Sequence, residues 1–179
     1  DNDMQIAGSY QPEGKDAALN MEASIASFSM ASLEPLTFGQ LKDLRGAMTG
    51  NLVIKGSLDA PAINGDIRFR NTEFFSTYLR THLALRDEVI SFSSEGIEFK
   101  DFEVFDRQNN SIAVRGDINT SDYKTFSLDI NVGAENFQLM NTTEDDNELF
   151  YGDVRLNTQT TIRGTNHLPV INMRLSLGE

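Results

Sequence analysis

Few side chains in this sequence belong to types that do covalent or acid–base chemistry near neutral pH. It has no cysteine, which removes a thiolate nucleophile, a zinc-thiolate site and a disulfide framework. Its two histidines are His82, with the parity of a polar strand face between Thr81 and Leu83, and His167, in a turn before Pro169. Both read as solvated residues. No Gly-x-Ser-x-Gly elbow, phosphate loop, dinucleotide fingerprint or His-Glu-x-x-His helix is present. The run Glu144-Asp145-Asp146-Asn147-Glu148 offers oxygen ligands for calcium but lacks the spacing and glycine of an EF-hand loop, and reads as a solvated turn or helix start. Carboxylates are plentiful, yet spacing selects no acid/base pair. Asn119-Thr120-Ser121 and Asn141-Thr142-Thr143 match the short glycosylation acceptor pattern, a common one. The expectation is a protein with no catalytic residues, no metal and no cofactor.

The elements that carry these residues are constrained by composition. In 179 residues, 15 Lys+Arg stand against 27 Asp+Glu, a net charge of −12. Phosphate repels such a chain, so nucleic acid is not an expected partner. The longest apolar run is three residues, as in Leu52-Val53-Ile54. A membrane-spanning helix needs about 20 predominantly apolar residues, and the strands of a buried parallel sheet read as continuous apolar runs. The sequence opens at Asp1 without a signal peptide, which suggests a processed product or a piece of a longer chain.

Apolar residues instead recur at period two. Met4, Ile6, Gly8 and Tyr10 alternate with polar residues, as do Leu19, Met21, Ala23 and Ile25, then Met48, Leu52, Ile54 and Leu58, then Ile63, Ile67 and Phe69. The pattern continues through Leu79, Thr81, Leu83 and Leu85, through Val114 and Ile118, through Leu128, Ile130 and Val132, and through Ile171, Met173, Leu175 and Leu177. Alternate side chains of a strand point to opposite faces, so this is the signature of about eleven antiparallel strands with one apolar and one wet face. Turn residues fall between the runs: Pro12-Glu13-Gly14, Asp59-Ala60-Pro61, the polar stretch from Asp106 to Asn110, Thr120-Ser121-Asp122 and the stretch from Asn166 to Pro169. From Ser32 to Leu44 the spacing of Leu33, Leu36, Leu41 and Leu44 predicts a short helix with Ser32 as N-cap and Pro35 in the first turn, and a weaker counterpart spans Thr143 to Tyr151.

The pattern also repeats. Gly8 and Gly116 are 108 residues apart, and so are Gly56 and Gly164; the same offset carries Ile54 onto Ile162, Pro61 onto Pro169, Ile63 onto Ile171 and Ile67 onto Leu175. Residues 1–110 read as a first unit and 111–179 as a second, truncated one continuous with it. A repeated sheet unit implies an elongated stack. Burying a large apolar side chain is worth about 1.5–3 kcal/mol, so a face bearing two dozen of them must be covered. Two packed sheets, a closed barrel, or a sheet folded into a trough would each do so.

Asn136-Phe137-x-Leu139-Met140-Asn141-Thr142, then Asp146-Asn147-Glu148-Leu149-Phe150-Tyr151-Gly152, then Ile162-x-Gly164, resemble the C-terminal part of the TamB family of Gram-negative envelope proteins. Gly96-Ile97-x-Phe99-x-Asp101-Phe102 and Val114-x-Gly116-x-Ile118 agree with it, and the resemblance is closest over about residues 50–164. It implies an elongated antiparallel sheet curled into a U-shaped trough with one or two short helices. It implies a periplasmic protein whose parent is anchored in the inner membrane by a segment outside this sequence and reaches an outer-membrane barrel partner. The implied work is outer-membrane biogenesis: movement of phospholipid between membranes, handling of nascent outer-membrane protein strands, or both. The candidate groove lining is then Met21, Ile25, Met48, Leu52, Ile54, Leu58, Ile63, Ile67, Phe69, Leu83, Leu85, Val114, Ile118, Leu128, Ile130, Val132, Ile171, Met173 and Leu175. The alternative is a β-sandwich module that binds protein or glycan at its loops.

Overall fold

The computed structural model describes residues 2–12, 18–145 and 151–178. Within these, the period-two runs form ten strands: β1 (Asp3–Gln11), β2 (Ala18–Ser29), β3 (Leu41–Gly56), β4 (Pro61–Ser76), β5 (Thr81–Ser93), β6 (Gly96–Phe105), β7 (Ser111–Asn119), β8 (Ser127–Thr142), β9 (Gly152–Thr165) and β10 (Pro169–Leu177). That is one fewer than the pattern suggested. All ten lie in a single sheet in chain order, each antiparallel to its neighbours in sequence. The β-sandwich reading is thereby corrected, because among the described residues no second sheet packs on the first. The same sheet curls instead.

The curl begins at residues that break the strand conformation. Asp43 and Gly46 in β3, Asn71 in β4 and Asn136 in β8 have φ of 55°, 95°, 45° and 48°. Asp, Asn and Gly are the residues that enter the left-handed region at least cost. Register shifts accompany them, between Lys42 and Ala47 in β3 and between Ala134 and Phe137 in β8. Such bulges bend a strand and increase its twist. On β4 the inward parity passes at Asn71 from Ile67 and Phe69 to the buried Thr72 and half-buried Phe74.

The hairpin of β6 and β7 is shorter than its flanking hairpins, and these meet beyond its tip. The Asn141 N–H donates to the Leu79 carbonyl at 3.1 Å, and Thr81 Oγ1 donates to Gln138 Oε1 at 3.1 Å. Leu83, Ala134, Phe137 and Leu156 form the buried core here, with Phe74, Val104, Ile112 and Leu139 against it. The core therefore sits at one end of the strands.

The strand limits recur with the sequence repeat. β1 and β7 begin and end 108 residues apart (3 to 111, 11 to 119). The pairs Gly56–Pro61 and Ile54–Ile63 recur as Gly164–Pro169 and Ile162–Ile171. The bulge between Ile25 and Phe28 recurs between Ala134 and Phe137.

The predicted helix is corrected. It is a 3-10 helix over Met30–Thr37, preceded by Ser29 rather than Ser32. Pro35 supplies no N–H, and Phe38 and Gly39 turn left-handed at φ 53° and 77°, so the helix stops there. Leu41 and Leu44 belong to β3; Leu44 is 4 % exposed, and its N–H is held by the Glu34 carboxylate at 3.0 Å. Leu79 lies in the turn before β5, and Leu58 in the turn after β3. Most of the turn at Pro12-Glu13-Gly14 and of the second predicted helix lies outside the described residues.

Candidate functional site

Strand register lines up the apolar side chains of one face. Ile6, Ala23, Leu52, Gly65, Phe92, Ile97, Ile118, Leu128 and Gly164 are successive partners across nine strands. A parallel row runs Gly8, Met21, Ile54, Ile63, and another runs Phe99, Gly116, Ile130, Ile162, Ile171. Consecutive strands are about 4.8 Å apart, so the nine-strand row extends for roughly 40 Å. The result is an apolar lane at right angles to the strands.

The sequence-predicted lining falls into four groups. Met21, Met48, Leu52, Ile54, Ile63, Ile67, Phe69, Val114, Ile118, Leu128 and Val132 share this face and are half-buried, while Ile25, Leu83, Leu85 and Ile130 are buried in it. Ile171, Met173 and Leu175 lie on β10, which is exposed along its whole length as β1 is. Leu58, in its turn, is exposed and joins none of the rows. Sequence reasoning left out Phe92, Ile97 and Ile162, whose alternation was present in the chain. It also left out Thr158 and Thr160, which are buried on this face and share a hydroxyl–hydroxyl bond of 2.9 Å. Their polar type concealed them.

A carboxylate interrupts the lane. Glu88 is the register partner of Phe69 and hence faces the same side, where it is only 8 % exposed. The β5–β6 ladder is paired at Ala84–Phe105 and again from Ser91 to Ser93, with no paired positions between. In that interval Glu88 Oε2 accepts the Glu103 N–H at 2.8 Å. Burial pushes the Glu88 carboxyl above its usual range, opposed by that hydrogen bond and reinforced by the nearby Glu103 and Asp87 carboxylates. Phe102 lies edge-on to both Phe69 and Phe99, at 6.2 and 5.8 Å.

Asp106, seen in the sequence only as a turn residue, is 6 % exposed. Burial acts to raise its pKa, but hydrogen bonds from the Asn110 side chain and the backbone N–H groups of Gln138, Asn110 and Gln108 outweigh this and hold it below its usual range. His82 is half-buried rather than solvated: its ring lies 4.9 Å from that of Phe75, and burial, with the Arg107 charge, lowers its pKa. Phe105 turns to the opposite face, where the Arg86 guanidinium stacks on it at 3.9 Å.

A lane of half-exposed apolar side chains can hold an elongated apolar body. Residues 95–179, from the β5–β6 turn through β10, match the family model of the TamB C-terminal domain. Over this stretch, somewhat under half of its length, the chain is similar to the TamB C-terminal domain. Neither a curated protein nor a solved structure matches the chain. That similarity supports a role in the TamB/AsmA-like envelope system. No helix among the described residues is long and apolar enough to cross a membrane.

Proposed function

We propose that this TamB-like chain is a section of a periplasmic, nonenzymatic trough that shields phospholipid acyl chains in transit between the inner and outer membranes. The observation that carries this reading is the in-register apolar lane, whose side chains are for the most part neither packed away nor fully exposed. An acyl chain laid along it gains about 0.8 kcal/mol per buried CH2, while its head group keeps its water at the open side. Rows of similar side chains repeated from strand to strand give a smooth surface on which lipid slides. The groove lining predicted from sequence, apart from Leu58 and the buried Ile25, Leu83, Leu85 and Ile130, is the proposed contact surface.

Exposure of both edge strands, β1 and β10, along their full length favours a second reading in which a nascent outer-membrane strand is held by main-chain hydrogen bonds. The inner-membrane anchor and outer-membrane barrel partner belong, in this proposal, to the parent protein. The recurrence of strand limits and registers supports units of 1–110 and 111–179.

Lipid extraction and mass spectrometry of protein purified without detergent test the proposal. Bound phospholipid at near-stoichiometric amounts is the expected outcome. Protein that carries no lipid and takes up none from vesicles would remove it.

A further inference from the structure

A broad, open concavity lies on the other face of the sheet. An open depression of about 1120 Å³ spans β7 to β10, adjoined by one of about 890 Å³ that shares its lining. Its floor is Ala113 beside its register partner Gly133. Gln159 is the next partner in line and Arg174 the one after, while Glu135 and Asn172 stand at its margins.

Gly133 has no structural reason to be glycine. Its φ is outside the left-handed region, and a Cβ built there would meet nothing within 4 Å. This sets it apart from Gly116 and Gly65, whose left-handed φ and crowding by the neighbouring strand admit no side chain. Glycine inside a strand costs about 0.5–1 kcal/mol relative to alanine, and it often marks a bulge, a bend or a place that another molecule approaches closely; the β8 bulge begins only after Ala134. The absent side chain keeps the floor of the depression open.

The rim indicates what could enter. The side chains of Glu135, Gln159, Asn172 and Arg174 make no hydrogen bond or ion pair with other described residues. Two carboxamides provide donors and acceptors together, the Arg174 guanidinium and Glu135 carboxylate balance in charge, and Arg115, which lines the same depressions, is ion-paired with Asp101. A phosphate would meet Glu135, and an apolar body would strand the amides. A neutral, hydroxyl-rich ligand satisfies all four groups, with its flat apolar side on Ala113 and Gly133. We propose that this depression is a saccharide-binding site, separate from the apolar lane on the opposite face.

The test uses the full chain and Gly133→Val, which fills the floor with a residue favoured in strands and whose Cβ meets nothing within 4 Å. The probe is a soluble N-acetylglucosamine tetramer followed by backbone amide NMR. The amides of Gly133, Gln159 and Asn172 are expected to shift on titration of the unmodified chain, and the Gly133→Val protein is expected to melt at the same temperature or higher with its shifts at least tenfold weaker. Gln159→Ala should weaken binding without moving the melting temperature. The proposal is overturned if the tetramer moves no amide at millimolar concentration, if Gly133→Val binds as well as the unmodified chain, or if inorganic phosphate shifts these amides and the sugar does not. None of these outcomes bears on lipid co-purification, so the two readings stand or fall separately.

Discussion

The Asp106 carboxylate accepts the backbone N–H of Gln138, 32 residues further along the chain, at 2.9 Å. Through that bond the tip of the β6–β7 hairpin is fastened to β8, just where β5 and β8 meet beyond it. Asp106 also closes its own loop through Gln108 and Asn110.

Replacing Asp106 with alanine would leave several buried donors without an acceptor. Hydrogen bonds to a charged group are worth about 1.5–3 kcal/mol, so a loss of about 2–3 kcal/mol in urea unfolding is expected. The folded-state pKa of Asp106 is depressed. Its contribution is therefore complete above the usual aspartate pKa and disappears as pH falls through the lowered value. The difference between Asp106→Ala and the unmodified chain should narrow at strongly acid pH.

Ile54 and Ile130 read alike in sequence but differ in the fold. Ile130 is 7 % exposed while Ile54 is half-buried. An aspartate at Ile130 would be an unpaired buried charge and should unfold the protein, by about 3–5 kcal/mol. At Ile54 the carboxylate reaches water, so Ile54→Asp should fold and lose bound lipid. Circular dichroism and lipid analysis of both variants check this, and equal melting temperatures would contradict it.

Glu88 has the opposite pH signature to Asp106. Its folded-state pKa is raised, so its favourable contribution is complete below the usual glutamate pKa and is lost as pH rises through the raised value. Glu88→Gln keeps an acceptor for the Glu103 N–H and removes the buried charge. It should be more stable than the unmodified chain at pH 7, and this advantage should vanish near pH 4. Hydrogen exchange at the Glu103 amide should slow in the variant at pH 7.

Asn71 holds φ at 45° inside β4. Asn71→Gly should leave stability within about 0.5 kcal/mol, whereas Asn71→Val should cost about 1–2 kcal/mol because a β-branched side chain fits the left-handed region poorly. Thermal unfolding of the pair isolates the backbone requirement, since Asn71 is exposed.

The sequence made the strands legible because one face is apolar and one wet, as in Leu128-Asp129-Ile130-Asn131-Val132. It made the 3-10 helix visible but mis-sized, since Leu41 and Leu44 keep helical spacing by coincidence with a bulged strand. The bends were concealed because an asparagine such as Asn136 within a strand run reads as one more polar residue; only its φ reveals its role. Glu88 and Thr158 were hidden for a related reason. Alternation assigns polar types to the wet face, while in the fold these two sit on the dry one. Gly133 was indistinguishable in sequence from the glycines that the backbone requires.

Strand order in the sheet equals strand order in the chain. Each strand can therefore dock as soon as it is available, on the partner that preceded it, and no segment has to wait for a remote one to be made. The link from Leu79 to Asn141 is a late exception that fastens hairpins already formed. A polypeptide threaded through a membrane from one end could thus acquire its shape hairpin by hairpin on the far side, with the most recent strand always the one left open.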